Sequence, residues 1–456
     1  MSRSPKSAIR VEREPASVHK TTRPQMMNRP LTWIVIVLLL LAVDFGRAGA
    51  DDESLLDIPG RIAYIGTDFN VYSIDLRAGH TFQLTDDATP VRRYQWPTWA
   101  DNDKLAYFCC DPLHSTRLSA EVYISPDGEA SGEEVYRSAN QIFTYAAWSP
   151  QDCTQEAGCR DLAVLLSELG VSTFSVELIR SLADETENRT VGQGAPFYYS
   201  WSPDGNRMLW HRDNDRLDMY SVAGDELDPI AETPGRFPTP AWSPVDDRLL
   251  LALADEDGLT DLAVYANGEA RVLVPDLAGV VSFTWSPDGN YVAYRLFRDS
   301  RVGPLFVVDA VTGEEIMRTL DESVIAFFWS PDSSKIAYLS LATPRGSFNV
   351  SSQLEFPVRL PAQEVQGLAW SIVDMEHGGQ VRTYGTFLPT TELVYLLNFF
   401  DQFAQSHSIW SPDSAHIVYS QMNADQQQVI SVLDMTRPDT VPFNIAEGII
   451  GIWSYR

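Results

Sequence analysis

The chain has 456 residues, and its 62 acidic side chains outnumber its 34 basic ones to give a formal charge of −28. A surface this acidic repels nucleic acid and anionic lipid, so the charge argues against both as partners. It is typical of a soluble protein, or of one that attracts cations and basic partners.

The first 50 residues differ from the rest. Seven basic and two acidic side chains precede residue 31, residues 31–43 are apolar except for Thr32, and the small residues Ala48, Gly49 and Ala50 follow. This order predicts a secretory signal peptide. The alternative is an uncleaved membrane anchor over residues 31–50, since a spanning helix needs about 20 largely apolar residues. Either way, residues 51–456 are expected to be exported, whether secreted, periplasmic or at the cell surface.

A short phrase recurs along the exported part. Trp-Ser-Pro, often continued by Asp or Asp-Gly, begins at Trp148, Trp201, Trp242, Trp285, Trp329 and Trp410, with a degenerate copy at Trp99 and a last Trp-Ser at Trp453. The copies lie 41 to 53 residues apart, except for an 81-residue gap before Trp410. A period of about 40–50 residues with several short strands in each repeat is typical of a β-propeller.

The phrase has a mechanical explanation. Tryptophan is a large apolar side chain that can fill the gap between neighbouring blades. Ser-Pro-Asp-Gly is turn chemistry, because proline presets φ, aspartate bonds the local backbone and glycine accepts a positive φ. We therefore expect the eight tryptophans to be structural wedges and the turn aspartates to have no catalytic role.

The repeat predicts an all-β fold with eight blades, or seven in the alternative count. Seven blades begin at the seven internal tryptophans, and residues 61–85 supply three further strands. Residues 448–453 would complete the eighth blade, so that the strands of the two chain ends pair and close the ring. Residues 51–456 form one domain in this interpretation. Insertions near residues 341–366 and 388–406 account for the long gap, and almost no helix is expected after residue 50.

The phrase at Trp285-Ser286-Pro287-Asp288-Gly289, with the strands at residues 291–294 and 305–309 that follow it, resembles the TolB-type propeller repeat. The same repeat occurs in the propeller of dipeptidyl peptidase IV-type proteins. The resemblance covers about residues 60–456 and implies the fold. For function it implies a binding or scaffold propeller. The alternative is a propeller subunit, or a degenerate relative, of a prolyl-oligopeptidase-type hydrolase that acts as a substrate gate.

Motifs that are typical of enzyme active sites and phosphate-binding loops are absent from the sequence. The sequence contains no Gly-x-Ser-x-Gly elbow, no phosphate-binding Gly-x-x-x-x-Gly-Lys loop and no His-Glu-x-x-His, and its seven histidines are scattered. We expect no enzyme activity and no cofactor. The acidic segments 213–215 and 255–261 match no complete calcium loop and are interpreted as solvated turns, so no metal site is expected.

Four cysteines fall in two places. Cys153 and Cys159 enclose a short polar stretch, and an oxidising compartment favours a disulfide between them. Cys109 and Cys110 are neighbours, and the sequence leaves open whether they are reduced, bonded to each other or paired elsewhere.

The second insertion is the candidate binding site. Four aromatic side chains would form an exposed anchor patch, namely Tyr395, Phe399, Phe400 and Phe403. Three polar side chains would add contacts at the mouth of the central channel, namely Asp401, Gln402 and His407. The alternative is an apolar plug that caps the channel.

A second candidate surface lies at Arg92, Arg93 and Tyr94, which lead into another blade. The alternative is that the two arginines pair with carboxylates. The partner is expected to be a protein, a peptide or a small ligand, which the sequence does not identify.

Overall fold

The computed structural model describes residues 57–110, 119–153, 158–182, 186–297, 302–342 and 367–456. Within these ranges the protein is all-β, with thirty strands and two short helices. The predicted signal or anchor segment, and residues 343–366 of the first insertion, lie outside the described residues. None of the described helices has the length and apolar character needed to cross a bilayer.

Five antiparallel sheets have four strands each. The first three are β4 (Tyr94–Trp99), β5 (Leu105–Cys109), β6 (Ala120–Ser125) and β7 (Glu133–Ser138); β8 (Gln141–Trp148), β9 (Arg160–Glu168), β10 (Phe174–Ser181) and β11 (Thr186–Gly194); and β12 (Phe197–Trp201), β13 (Arg207–Arg212), β14 (Arg216–Ser221) and β15 (Glu226–Pro229). The other two are β16 (Ala241–Trp242), β17 (Leu249–Ala254), β18 (Thr260–Ala266) and β19 (Glu269–Leu277); and β20 (Val280–Trp285), β21 (Tyr291–Phe297), β22 (Leu305–Asp309) and β23 (Glu315–Arg318).

A sixth sheet has ten strands in the order β24-β25-β26-β27-β28-β29-β30-β1-β2-β3. Its strands are β24 (Val324–Trp329), β25 (Lys335–Leu341), β26 (Leu368–Asp374), β27 (Gln380–Pro389), β28 (His416–Met422), β29 (Gln428–Asp434), β30 (Phe443–Trp453), β1 (Arg61–Gly66), β2 (Val71–Asp75) and β3 (His80–Gln83). Many four-stranded antiparallel sheets with few helices fit a β-propeller. The expectation of an all-β fold is confirmed.

The recurring phrase ends the first strand of a sheet and turns the chain. In the copy after β20, the Ser286 hydroxyl donates to Asp288 Oδ1 over 2.6 Å, and the Gly289 amide donates to the Ser286 carbonyl over 2.9 Å. Gly289 has a φ of +71°, and a Cβ there would lie 2.5 Å from Val245 of the preceding sheet. The same serine-to-aspartate bond recurs at Ser202, Ser330 and Ser411. Local residues therefore define these turns, and bonds from the Asp288 amide to Ser333 and from the Asp332 amide to Ser414 join those two turns to the next copy.

The tryptophans join one sheet to the next. In four copies, the indole Nε1 donates to the carbonyl of the residue just before the preceding tryptophan of the series. The acceptor lies in the neighbouring sheet in three of them, and for Trp410 it lies in β24 of the same ten-stranded sheet. These bonds run from Trp148 to Thr98, Trp201 to Ala147, Trp285 to Ala241 and Trp410 to Phe328, over 2.9 to 3.2 Å. Trp453 donates to the Pro59 carbonyl over 3.0 Å. Five of the eight tryptophans are thus hydrogen-bonded, whereas Nε1 of Trp99, Trp242 and Trp329 has no partner among the described residues.

Strands from the two ends of the described chain pair with each other. β1 runs antiparallel to the last part of β30, with Ile62 opposite Trp453 and Tyr64 opposite Gly451. The earlier part of β30, residues 443–447, pairs with β29 instead. One long strand thus contributes to two neighbouring groups of strands.

Trp370 is not a copy of the phrase, although a serine follows it. It lies inside β26, which pairs with β25 on one side and β27 on the other, so it belongs to a middle strand. In the described part of the chain, β27 pairs with β28 through two residues, Leu388 opposite Met422 and Pro389 opposite Gln421. The ten-stranded sheet is therefore nearly divided there.

Removal of residues 448–456 should abolish cooperative unfolding, because β1 then exposes an unpaired edge of buried residues. Thermal denaturation followed by far-UV circular dichroism measures this. The control removes only Tyr455 and Arg456, which lie beyond β30, and should keep a single sharp transition. An unchanged melt of the longer truncation would contradict this role of the pairing.

The energetic contribution of the indole bond can be isolated with a matched pair. Trp285 and Trp242 are 6% and 5% exposed, and each has an arginine 4.8 Å from its ring centroid. Only Trp285 donates a hydrogen bond, whereas Trp242 Nε1 has no partner among the described residues. Trp285→Phe should therefore cost about 1 kcal/mol more than Trp242→Phe in urea denaturation. Equal losses would show that the indoles act by packing alone.

Candidate functional site

The second insertion contains the two helices. α1 (Thr391–Asn398) and α2 (Phe400–Phe403) lie between β27 and β28. The Thr390 hydroxyl caps α1 by accepting from the Leu393 amide over 3.3 Å, and it also donates to the Ile449 carbonyl over 2.8 Å. Leu393, Leu396 and Leu397 recur at helical spacing and are buried. The cap and the spacing are visible in the sequence, although almost no helix was expected there.

The proposed aromatic patch is divided by the structure. Phe400 and Phe403 are 1% and 2% exposed, whereas Tyr395 and Phe399 are 38% and 37% exposed. The expectation that all four are exposed anchors is wrong for Phe400 and Phe403. The Phe400 ring packs 4.8 Å from Phe327, so it contributes to the core. Phe403 packs against two aromatic rings of β4 and β8, with centroid distances of 4.7 Å to Trp96 and 5.4 Å to Tyr145.

Gln402 holds the insertion against two first strands. Its Nε2 donates to the Tyr199 carbonyl over 2.9 Å, and its Oε1 accepts from the Tyr199 amide over 3.3 Å. The Gln402 carbonyl accepts from the Tyr145 hydroxyl over 3.0 Å. Gln402 is therefore buried, and its hydrogen bonds fasten the insertion to these strands. The prediction that Gln402 is an accessible contact at the channel mouth is wrong.

His407 is also buried, and both of its ring nitrogens have partners. Nδ1 lies 2.7 Å from the Ser406 hydroxyl, and Nε2 lies 3.1 Å from the Thr98 hydroxyl. Burial lowers the pKa of His407 to about 3, so the ring is neutral near pH 7. The sequence-based role of His407 as an accessible polar contact is wrong, because it bonds to its neighbours inside the core.

Asp401 is the exception among these buried polar groups. Its Oδ1 accepts from the Gln402 amide over 3.1 Å, but its Oδ2 has no well-aligned hydrogen-bond partner in the described part of the chain. Burial raises the pKa of Asp401 to about 6, and the nearby Arg295 guanidinium and Ser282 hydroxyl oppose that increase. A carboxyl of this kind exists in both protonation states near neutral pH.

A cleft of about 610 Å³ opens beside Asp401. Its charged lining residues are Arg236, Arg295 and Asp401, and three of its aromatic lining residues are Phe237, Phe297 and Phe399. The lining comes from α1 and α2 and from segments between residues 198 and 325. Phe399 and Asp401 were predicted as site residues, whereas Arg236 and Arg295 were missed. No repeat marks those two arginines, and only the fold brings them to the insertion.

The second predicted surface is an ion-paired network. Arg92 lies 2.8 Å from Glu121 and 3.0 Å from Asp87, and the Tyr94 hydroxyl donates to Asp87 over 2.7 Å. Arg93 stacks 3.9 Å from the Phe69 ring centroid and donates to a backbone carbonyl. Arg92 is therefore paired with carboxylates, as the alternative interpretation expected, and the binding role of these three residues stays a prediction.

The cysteines form two disulfide bonds. Cys153 is bonded to Cys159, and Cys109 is bonded to Cys110. In the acidic segment 255–261, carboxylate oxygens of Asp255 and Asp261 lie within 4.8 Å of one another and of an oxygen of Asp276. Asp276 lies outside that segment in the sequence, and only the pairing of β18 with β19 brings it close to Asp261.

No protein-family model matches the chain, and no curated protein matches it in sequence. Three of the solved structures that resemble it share 11–12% identity with it. A eukaryotic initiation factor has a TM-score of 0.48 over 86% of this chain and 98% of that one. An oligogalacturonate lyase in complex with manganese has 0.46 over 79% and 86%, and TolB from Acinetobacter baumannii has 0.37 over 80% and 83%. With all three scores below 0.5, the fold rests on the strand order alone.

Asp401 predicts an unusual dependence of stability on pH. Because its folded pKa exceeds the ordinary value of 3.8, the folded state retains the proton longer, and stability falls as the pH rises from about 4 to 6. Asp401→Asn should therefore gain stability relative to the wild type across that window. Urea denaturation at pH 4.5, 5.5 and 7 measures the difference.

The matched control is Asp204→Asn in a turn. Burial opposes ionisation of Asp204, but hydrogen bonds from Ser202 and Asn206 outweigh it and lower its pKa. The stability that Asp204 adds is lost only as the pH falls below about 4, so its substitution should have a constant effect between pH 4.5 and 7. A constant effect for Asp401→Asn as well would contradict the raised pKa.

Proposed function

We propose that the chain is an exported, TolB-like β-propeller of eight blades that binds a partner at the cleft beside α1 and α2 and catalyses no reaction itself. The observation that carries this proposal is the cleft, with a buried, incompletely bonded carboxyl at its edge and the exposed Phe399 ring in its lining. Pockets of 300–1,000 Å³ with apolar walls and a few polar groups are typical ligand sites.

The blade count follows from grouping the strands by four. Five blades are the separate sheets, and β24–β27 form a sixth. In the seventh, Trp410 bridges to Ile417 and takes the place of a first strand before β28, β29 and residues 443–447. The eighth consists of residues 448–453 with β1, β2 and β3. In this arrangement β30 links the last two blades and the paired chain ends close the ring.

Export is supported by two features of different origin. The basic and then apolar order of the first 50 residues is that of a secretory signal or an N-terminal anchor. Both disulfides, Cys153 with Cys159 and Cys109 with Cys110, are typical of proteins that leave the reducing cytosol.

A binding role without chemistry is supported by the state of the polar groups around the insertion. His407 is held neutral by burial and engaged at both nitrogens, so it is poorly suited to proton transfer. The recurring turn aspartates bond to their own serines. The alternative, a propeller that gates a separate hydrolase, rests only on the resemblance of the repeat.

A photo-crosslinking amino acid in place of Phe399 tests the binding face, because Phe399 is half-exposed and lines the cleft. In the source cells, irradiation should give a discrete adduct. The matched control places the same amino acid at Val245, an exposed apolar residue in a Ser-Pro turn, which should give none. Adducts at both positions, or at Val245 alone, would contradict a partner site at the insertion.

A further inference from the structure

The net charge of the residues that line the cleft is opposite in sign to that of the whole chain. The protein carries −28, yet the cleft is lined by two arginines, Arg236 and Arg295, and by one acid, Asp401. Five further acids stand next to lining residues in the sequence. Asp213, Asp215 and Asp257 are exposed, where salt screens their charge. Asp255 and Asp261 are half-buried and accept hydrogen bonds from backbone amides. The interior of the cleft therefore favours an anion.

The two arginines are placed differently. Arg295 is 4% exposed, its Nη1 donates to the Val324 carbonyl over 3.0 Å, and its guanidinium lies 5.1 and 5.2 Å from the ring centroids of Phe297 and Phe400. Arg236 is exposed, and its backbone amide donates to the Thr260 hydroxyl oxygen over 3.2 Å. Arg295 thus supplies a fixed charge in the wall, and Arg236 supplies a charge that can reach a ligand directly.

The rest of the cleft wall is apolar and suits an apolar part of a ligand. Phe237, Phe297 and Phe399 line the cleft together with Val280, Ile325 and Leu397. Aromatic or aliphatic groups of a ligand would be removed from water when they pack against this wall. A planar ring has few rotatable bonds, so it would lose little conformational entropy on binding. A ligand complementary to the whole cleft therefore combines an anionic group with an apolar or aromatic part.

Resting on the proposed binding function, we propose that the cleft binds a small carboxylate with an apolar body, whose anion pairs with Arg236 and is attracted by Arg295. Asp401 competes with that anion, because its own carboxylate is attracted to Arg295. Protonation of Asp401 removes the competition. The affinity for the carboxylate therefore rises as the pH falls through the range in which Asp401 takes up its proton.

The groups that face Asp401 support this direction. From β21 comes Arg295 and from β20 comes the Ser282 hydroxyl, which both favour the charged form. From β8 comes the Tyr145 phenol, whose pKa burial raises well above 10, so it stays neutral. Asp401 is thus the group among these that changes charge near pH 6.

Isothermal titration calorimetry with three indole probes tests the ligand class. Indole-3-propionate carries the anion, indole-3-propionamide is its neutral counterpart of similar shape, and tryptamine is a cation. The propionate should bind about tenfold more tightly than the amide, as expected for a hydrogen bond to a charged group, and tryptamine should bind more weakly still. Equal affinities of propionate and amide, or no binding of the propionate at millimolar concentration, would overturn the proposal.

Substitutions locate the interaction. Arg236→Gln should weaken propionate binding about tenfold and leave the amide unchanged. Arg77→Gln, at a 59% exposed arginine outside the cleft lining, is the matched control and should have no effect. Equal effects of the two substitutions would overturn the assignment of the cleft.

The pH dependence tests the role of Asp401. Between pH 7.5 and 5.5 the wild type should gain about tenfold in affinity for the propionate, as the fraction with a neutral Asp401 increases. Asp401→Asn should bind at pH 7.5 as tightly as the wild type does at pH 5.5 and show no pH dependence. If the affinity of the wild type for the propionate did not change with pH, Asp401 would not compete with the ligand and this part of the proposal would be wrong.

The outcome separates this inference from the proposed function. Adducts at position 399 without carboxylate binding would leave the partner face intact and show that the ligand class is wrong. Carboxylate binding without adducts would support the cleft and contradict the partner role.

Discussion

The antiparallel pairing of β1 with the end of β30 is the constraint on which the rest of the structure depends. It brings Ile62 opposite Trp453 across nearly the whole length of the described chain. Without a partner, β1 would leave an open edge of buried residues, and the ten-stranded sheet would lose its link between β30 and β2. The pairing also places Ile449 where its carbonyl accepts from Thr390, the cap of α1. The helical insertion and the cleft beside it thus depend on the same contact.

The position of the strands could be predicted from the sequence because the recurring phrase is local. Ser286, Asp288 and Gly289 form their turn from atoms within a few residues, so the pattern alone identifies it. The bond from Trp285 to Ala241 also repeats, but its partner lies 44 residues away and only the fold reveals it. Strands and turns can be predicted from interactions between residues close in sequence, whereas contacts between the sheets cannot.

The candidate site could be predicted only in part, for the same reason. The aromatic insertion was identified by composition, but composition does not say that Phe400 turns inward while Phe399 stays half-exposed. The pKa of Asp401 depends on burial and on Arg295, a residue 106 positions earlier in the chain. Arg236 carries no sequence signal, because its importance comes from its place in the cleft. The insertion can therefore be identified from the sequence, whereas the burial and charge of its side chains depend on the fold.

Hydrogen–deuterium exchange of the amides in β1 and β30 tests the central claim most directly, since it reports the pairing in the intact chain. A closed ring predicts that the amides of residues 62–65 and 449–453 exchange as slowly as those of β9, a middle strand of its sheet. Fast exchange of both segments, with β9 still protected, would show that the chain ends do not close the fold.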